Sequence, residues 1–209
     1  MFLQTQEYHD AWAKAMEKVV YTNHSGGAIG ADSYWDSIGR EFGVTDHLHY
    51  WHSTRTPKGN FELTDQQIEE AWPHVLKANE WLQRKGIERF KSLLARNYYQ
   101  VLNADAVFAI GELQNAFAFI PKGGTAWAVQ MAKDMGKPVY FFDQKSADYT
   151  FPSSGWSLFD RTARFIQPNE VKLTQNFAGI GSRKITPAGI QAIRDVYQNT
   201  FKPRETTNN

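Results

Sequence analysis

Short continuous apolar runs recur along this chain. Each is followed by a stretch in which apolar residues return every three or four positions. Runs of the first kind read as strands buried on both faces, and stretches of the second kind as helices laid over them. "KVVYTN" at 18–23, "ADAVFAIG" at 104–111, "KPVYFFD" at 137–143 and "FAGIG" at 177–181 are expected strands. "VTDHLHYWH" at 44–52 alternates and adds another, and "RFIQP" is a short strand inside a loop-rich stretch, 144–175. Helical spacing covers 6–17, with Trp12, Ala15 and Met16 on one side. It returns at "SYWDSIGREFG" 33–43, ending at a glycine, and at 64–86. There Thr64 and Gln67 form a capping-box pattern, while Pro73 predicts a kink or break. Further helices follow at 88–103, at 125–136 closed by Gly136, and at 187–201 with Pro187 in the first turn. In the last of these, Ile190, Ile193, Val196 and Tyr197 share the expected buried face.

Strands alternating with helices imply an α/β fold, a Rossmann-like parallel sheet sandwiched by helices. At 209 residues, a single domain spanning 1–209 is expected. In such sheets ligands sit beyond the carboxyl ends of the strands. Three glycine-rich loops fall before helices: Ser25 to Asp32, Gly123 to Thr125, and Gly179 to Arg183. Backbone N–H groups and the positive end of a following helix attract phosphate there.

Hydrophobic residues at 42% and aromatics at 14% can fill a core. A net charge of +1 supplies no field for nonspecific nucleic-acid binding, so a nucleic-acid partner is not expected. With no cysteine, disulfide and thiolate chemistry are excluded. "MFLQTQEYHDAWAKAM" lacks the basic and apolar parts of a signal peptide, and no apolar run is long enough to span a bilayer. A cytoplasmic protein without membrane contact is expected.

The candidate ligand residues are Ser25, Gly26, Gly27, Ala28, Gly30 and Asp32 of the first loop. Gly111 with Glu112 ends the central strand, and Gly123, Gly124 and Thr125 form the second loop beside Lys122. Gly181, Ser182 and Arg183 complete the set; an arginine fork suits phosphate or a stacked base. Asp32 fits two roles, a helix cap or an acceptor for a ligand hydroxyl. His47, His49 and His52 do not have the spacing of a zinc site, so no metal and no cofactor are expected. His24 stands directly before the loop, either touching ligand or closing the strand. "STRTPKGN", with Arg55 and Lys58, reads as a polar lid or an exposed turn, and Arg96 and Asn97 face either the site or an interface.

Together "SGGAIGAD", "ADAVFAIG", "GGTAWAVQMA", "KPVYFFD" and "GIGSRKITP" resemble the SLOG superfamily, which includes the cytokinin-activating Lonely guy enzymes and the Smf/DprA DNA-processing proteins. More narrowly, the chain is similar to a bacterial and phage group carrying "TPKGN" and a late "FAGIGSR". The resemblance covers most of 19–200. In the family the "GIGSR" strand precedes the "SGGAxGAD" strand, whereas here it comes last. The resemblance therefore implies a circular permutation, with the last strand inserting beside the first, or a strand and helix that reach into a partner subunit.

The resemblance also implies a nucleotide-derived ligand, of the ADP-ribose type, held by the glycine loops. It offers two activities. One is binding alone, as in a phage protein that sequesters a bacterial defence signal. The other is N-glycosidic cleavage of a nucleoside monophosphate, which requires a carboxylate near the anomeric carbon. In the enzymes a glutamate follows the "GGxGT" turn; here Trp127, Ala128 and Gln130 occupy that region. Asp32, Asp105, Glu112 or Asp143 would have to stand in, with Asp32 and Glu112 the candidate acids, and binding is the favoured reading. Homo-oligomers are expected, with the helix at 65–85 serving as interface or as core.

Overall fold

Along β4 (Ala106–Gly111) every residue is buried, and the side chains divide by parity between two layers. Ala106, Phe108 and Ile110 face one core, while Val107 and Ala109 face another. A strand flanked by helices on both faces requires this doubly apolar pattern.

The computed structural model describes residues 19–52, 59–115, 118–145, 155–159 and 165–201. The expected helix at 6–17 and most of the "STRTPKGN" loop, including Arg55 and Lys58, lie outside the described residues. In chain order the elements are β1 (Thr22–Ser25), α1 (Ala31–Glu41), β2 (Asp46–Trp51), β3 (Phe61–Glu62) and α2 (Asp65–Leu82). A single 3-10 turn (Glu88–Phe90) leads into α3 (Lys91–Asn103), which is followed by β4, β5 (Leu113–Asn115) and β6 (Ile120–Pro121). Next come α4 (Thr125–Asp134), β7 (Val139–Asp143), β8 (Trp156–Phe159), β9 (Phe165–Ile166), β10 (Asn176–Gly181) and α5 (Pro187–Phe201).

The eight-stranded sheet has the order β3-β2-β1-β10-β4-β7-β8-β9. The pairings from β3 through β7 are parallel, and β8 and β9 extend the sheet antiparallel. The expected α/β architecture is therefore present. The last strand enters the middle of its own chain's sheet: Asn23 registers with Phe177 on one side of β10, and Ala178 with Val107 on the other. On one face α1 and α5 cover the sheet, meeting in the cluster of Trp35, Phe108, Phe177, Ile193 and Tyr197. α2, α3 and α4 pack against one another on the other side, with Val101, Ala128 and Val129 against β4 and β7.

Gly179 makes the first of these cores possible. A Cβ there would stand 2.7 Å from the Trp35 ring, so the fully buried indole needs a strand residue without one.

Four expectations need correction. α2 continues across Pro73 from Asp65 to Leu82. The proline removes one helical N–H, but Ile68, Ala71, Val75, Ala78 and Leu82 keep one stripe buried on both sides of it. The Thr64–Gln67 capping box does form, with Thr64 Oγ1 accepting from Gln67 N–H at 3.2 Å. β1 runs to Ser25, so Ser25 belongs to the strand and not to the loop. The β5–β6 hairpin and β8 were not expected, because each strand is only two to four residues long and lies among loop residues. Finally, Ile190 is only partly buried, unlike its neighbours on α5. No helix among the described residues is long and apolar enough to cross a membrane.

Candidate functional site

β1 and β10 lie side by side and parallel, so the loops that follow them open at the same edge of the sheet. The second loop reaches that edge differently. β4 ends at Gly111, and the β5–β6 hairpin carries the chain round to Gly123, Gly124 and α4. All three loops meet at one cavity of about 660 Å³. Ala28 and Asp32 line it from the first loop, Gly123, Gly124 and Thr125 from the second, and Gly181, Ser182 and Arg183 from the third. Glu112 and Lys122 complete the hairpin side. A second cavity of about 820 Å³ adjoins it. Gly26 and Gly27 line this neighbour, and Ala28, Leu93, Arg96 and Arg183 line both.

Asp32 joins two of the loops. Its Oδ2 accepts from Ala28 N–H at 3.2 Å, and its Oδ1 accepts from Gly181 N–H at 3.1 Å. It is therefore not the cap of α1. That position is Gly30, whose N–H donates to Ser33 Oγ at 3.2 Å. Burial raises the Asp32 carboxyl above the ordinary range, against the pull of the two N–H groups and Arg96. The backbone amides that a phosphate might have used in these loops are already partly taken by a carboxylate.

Gly30 is structural. Its φ is 106°, and a Cβ would lie 2.5 Å from the carbonyl oxygens of Ser182 and Arg183. The two loops touch here, backbone to backbone, and Ala31 N–H donates to Ser182 O at 3.0 Å. Ser25 and Gly111 line neither cavity. Ser25 is fully buried, with its Oγ accepting from Gly27 N–H at 3.4 Å. Gly111 is buried in β4, and its carbonyl accepts from Gln144 N–H at 2.8 Å.

The second loop keeps more of its capacity. Gly124 begins α4 without a side-chain cap, and no atom of the described residues lies within 4 Å of where its Cβ would be. Arg84 braces the turn from behind, donating to the carbonyls of Gly123 at 2.6 Å and Pro121 at 3.2 Å. The Arg84 guanidinium also lies 4.5 Å from the centre of the Trp127 ring, which packs among α2, α3 and α4. Ala128, by contrast, faces the cavity. Ala128 thus gives this part of the wall a methyl group.

Glu112 and Lys122 pair at 2.5 Å, and this bond holds the Glu112 carboxyl below its ordinary range. Gln144 orders the third loop. Its Nε2 donates to Ser182 Oγ at 3.2 Å and to Lys184 O at 3.1 Å, while its Oε1 accepts from Thr186 N–H at 2.6 Å. Ser182 Oγ also donates to Lys184 O, so this hydroxyl is engaged within its own loop. Arg183 and Lys184 are exposed at the cavity mouth.

Three contributors from α3 stand on one helix face: Arg96, Asn97 and Gln100 line the cavity. Arg96 Nη1 donates to Gly26 O at 3.3 Å, while its buried Nε has no partner among the described residues. Burial lowers the Arg96 pKa, partly offset by Asp32. Of these contributors, Arg96 and Asn97 stood open in the sequence between site and interface. Gln100, Gln144 and Arg84 were not singled out, because their partners lie 37 to 42 positions away or across the cavity.

The histidines serve the scaffold. His47 Nδ1 and His49 Nε2 contact the two oxygens of buried Asp36 at 3.0 and 2.6 Å, and Asn23 donates to the same carboxylate at 3.0 Å. Both ring nitrogens of His47 face oxygens, because Nε2 also lies 2.9 Å from Val44 O. Burial raises the Asp36 carboxyl, but the two histidines outweigh it and hold it down to about 2. His24 Nδ1 lies 2.9 Å from the Tyr50 hydroxyl, and burial lowers its pKa. It lines neither cavity.

The cavity thus presents the α4 N-terminus and the cations Arg96, Lys122, Arg183 and Lys184, with Asp32 and Glu112 as its acids. No family model, curated protein or solved structure matches the chain.

Proposed function

We propose that this protein binds a nucleotide-derived small molecule, of the ADP-ribose type, with a phosphate seated at the Gly123–Thr125 turn. One observation carries the reading. Three glycine loops far apart in sequence converge on a single cavity whose open helix end is ringed by four cations. Arg183 and Lys184 compensate the phosphate charge, Lys122 being paired with Glu112, and Asp32 accepts a sugar hydroxyl with its remaining lone pairs. The first and third loops shape the cavity, since Asp32 already holds an amide of each.

Binding without turnover is favoured over N-glycosidic cleavage. Both candidate acids are engaged, Asp32 by two backbone amides and Glu112 by Lys122. Ala128 leaves the α4 wall without a carboxylate. Sequestration of a signal molecule is the role this reading takes from the family resemblance. On this reading two copies pair through the outward side of α2, where Leu76 and Trp81 stay exposed.

The test is native mass spectrometry of the purified protein with AMP, ADP, NAD and ADP-ribose, followed by chromatography of the molecule released on denaturation. Recovery of an intact bound nucleotide is expected. Recovery of free base with ribose phosphate would overturn the binding reading in favour of the glycosidase.

A further inference from the structure

The second cavity is built differently from the first. Ile29, Phe90 and Leu93, three large apolar side chains that stay exposed, all line it, together with Trp51. The Arg89 guanidinium lies 4.8 Å from the centre of the Phe90 ring. Such cation–aromatic pairs present a flat surface on which a planar ring stacks.

The walls of this cavity are fixed. His52, at the end of β2, has Nδ1 2.9 Å from Ser92 Oγ and Nε2 2.9 Å from Asp65 Oδ1, so it ties the sheet edge to the starts of α2 and α3. Lys91 is held by Glu69 at 2.6 Å, which leaves Arg89 as the cation over the aromatic rim. Between the two cavities stand Arg96 and Arg183, which belong to both. A ligand anchored by phosphate in the first cavity passes these arginines on entering the second.

We infer that the second cavity receives the nucleobase of the same ligand, stacked on the Phe90–Arg89 surface, and that the cleft selects a two-part molecule: a phosphorylated sugar on one side and an aromatic ring on the other. This rests on the nucleotide-binding reading above. Each cavity alone has the volume of a site for a small ligand, and the shared arginines suit a diphosphate bridging them.

The experiment titrates ADP-ribose and ribose 5-phosphate into the wild type, Phe90→Ala and Arg89→Ala. Phe90 and Arg89 are exposed, so the folded state is expected to persist, and thermal melting checks it. Loss of one stacking surface should weaken ADP-ribose about tenfold or more and leave ribose 5-phosphate unchanged. Unchanged ADP-ribose affinity in both variants overturns the inference while leaving the phosphate site standing. An equal loss for both ligands overturns it too, since Phe90 would then be supporting the phosphate side. Failure of the wild type to bind ADP-ribose removes the nucleotide reading itself, and this inference with it.

Discussion

Asp32 shows how one side chain can serve a site without being its chemistry. A carboxylate beside a glycine loop has two local explanations, a cap or a ligand acceptor. Its bond to Gly181 spans 149 positions, and no local pattern carries that information. With its second oxygen on Ala28, it clasps the two loops together. Replacing it by asparagine turns one acceptor into a donor facing an N–H. Asp32→Asn is therefore expected to cost about 1–3 kcal/mol of stability, read by denaturant unfolding. Stability equal to wild type would show that the clasp is dispensable. Gly30 belongs to the same junction, since any side chain there would enter the backbone of residues 182 and 183. The glycines were legible as a loop, but which of them faces ligand and which faces another loop was not.

Elements were read best where a run was long and apolar. β4, β7, β10, α4 and α5 fall close to their expected places, because burial on both faces or a full helical stripe leaves one reading. The short β5–β6 hairpin and β8 escaped, being defined by pairing and not by pattern. At this scale the strap from α1 to β2 matters most. Asp36 of α1 is gripped by His47 and His49 of β2, and behind them Gly27 packs against the His49 ring. His47 and His49 were legible as lacking the spacing of a zinc site, but Asp36 as their target was not. The Asp36 carboxyl titrates near 2 in the fold against an ordinary 3.8. Its stabilising contribution is therefore complete above the ordinary value and is lost as pH falls through the folded one. Asp36→Asn should be less stable than wild type by about 2 kcal/mol at about pH 5, with the gap closing in stronger acid. A gap that does not change with pH would contradict this account of the strap.

For the whole molecule, the decisive feature is a last strand in the middle of the sheet. β10 joins β1 to β4, so the chain's end completes what its beginning starts. Phe201 at the end of α5 packs edge-on against Tyr21 at the start of β1, with ring centres 4.9 Å apart. The two ends of the described sheet domain therefore lie close together. A permuted chain beginning at Glu170, running through Asn209 directly into Met1 and ending at Asn169, should fold to the same sheet. Cooperative melting close to wild type is expected, and a chain that is molten or aggregated would show that the native order is required. Such an arrangement brings the glycine loops to one edge, and the central claim is that phosphate binds at only one of them. Gly124 offers a clean test. Its backbone φ of −67° suits any residue, and a Cβ there meets no atom of the described residues within 4 Å. Aspartate at the start of α4 favours the helix electrostatically and puts a fixed negative charge where the phosphate would lie. Calorimetric titration of ADP-ribose into Gly124→Asp, beside the wild type, is the most direct measurement. Binding lost by about a hundredfold or more, with melting temperature unchanged or raised, is the expected result. Wild-type affinity in the variant would place the phosphate elsewhere and contradict the account.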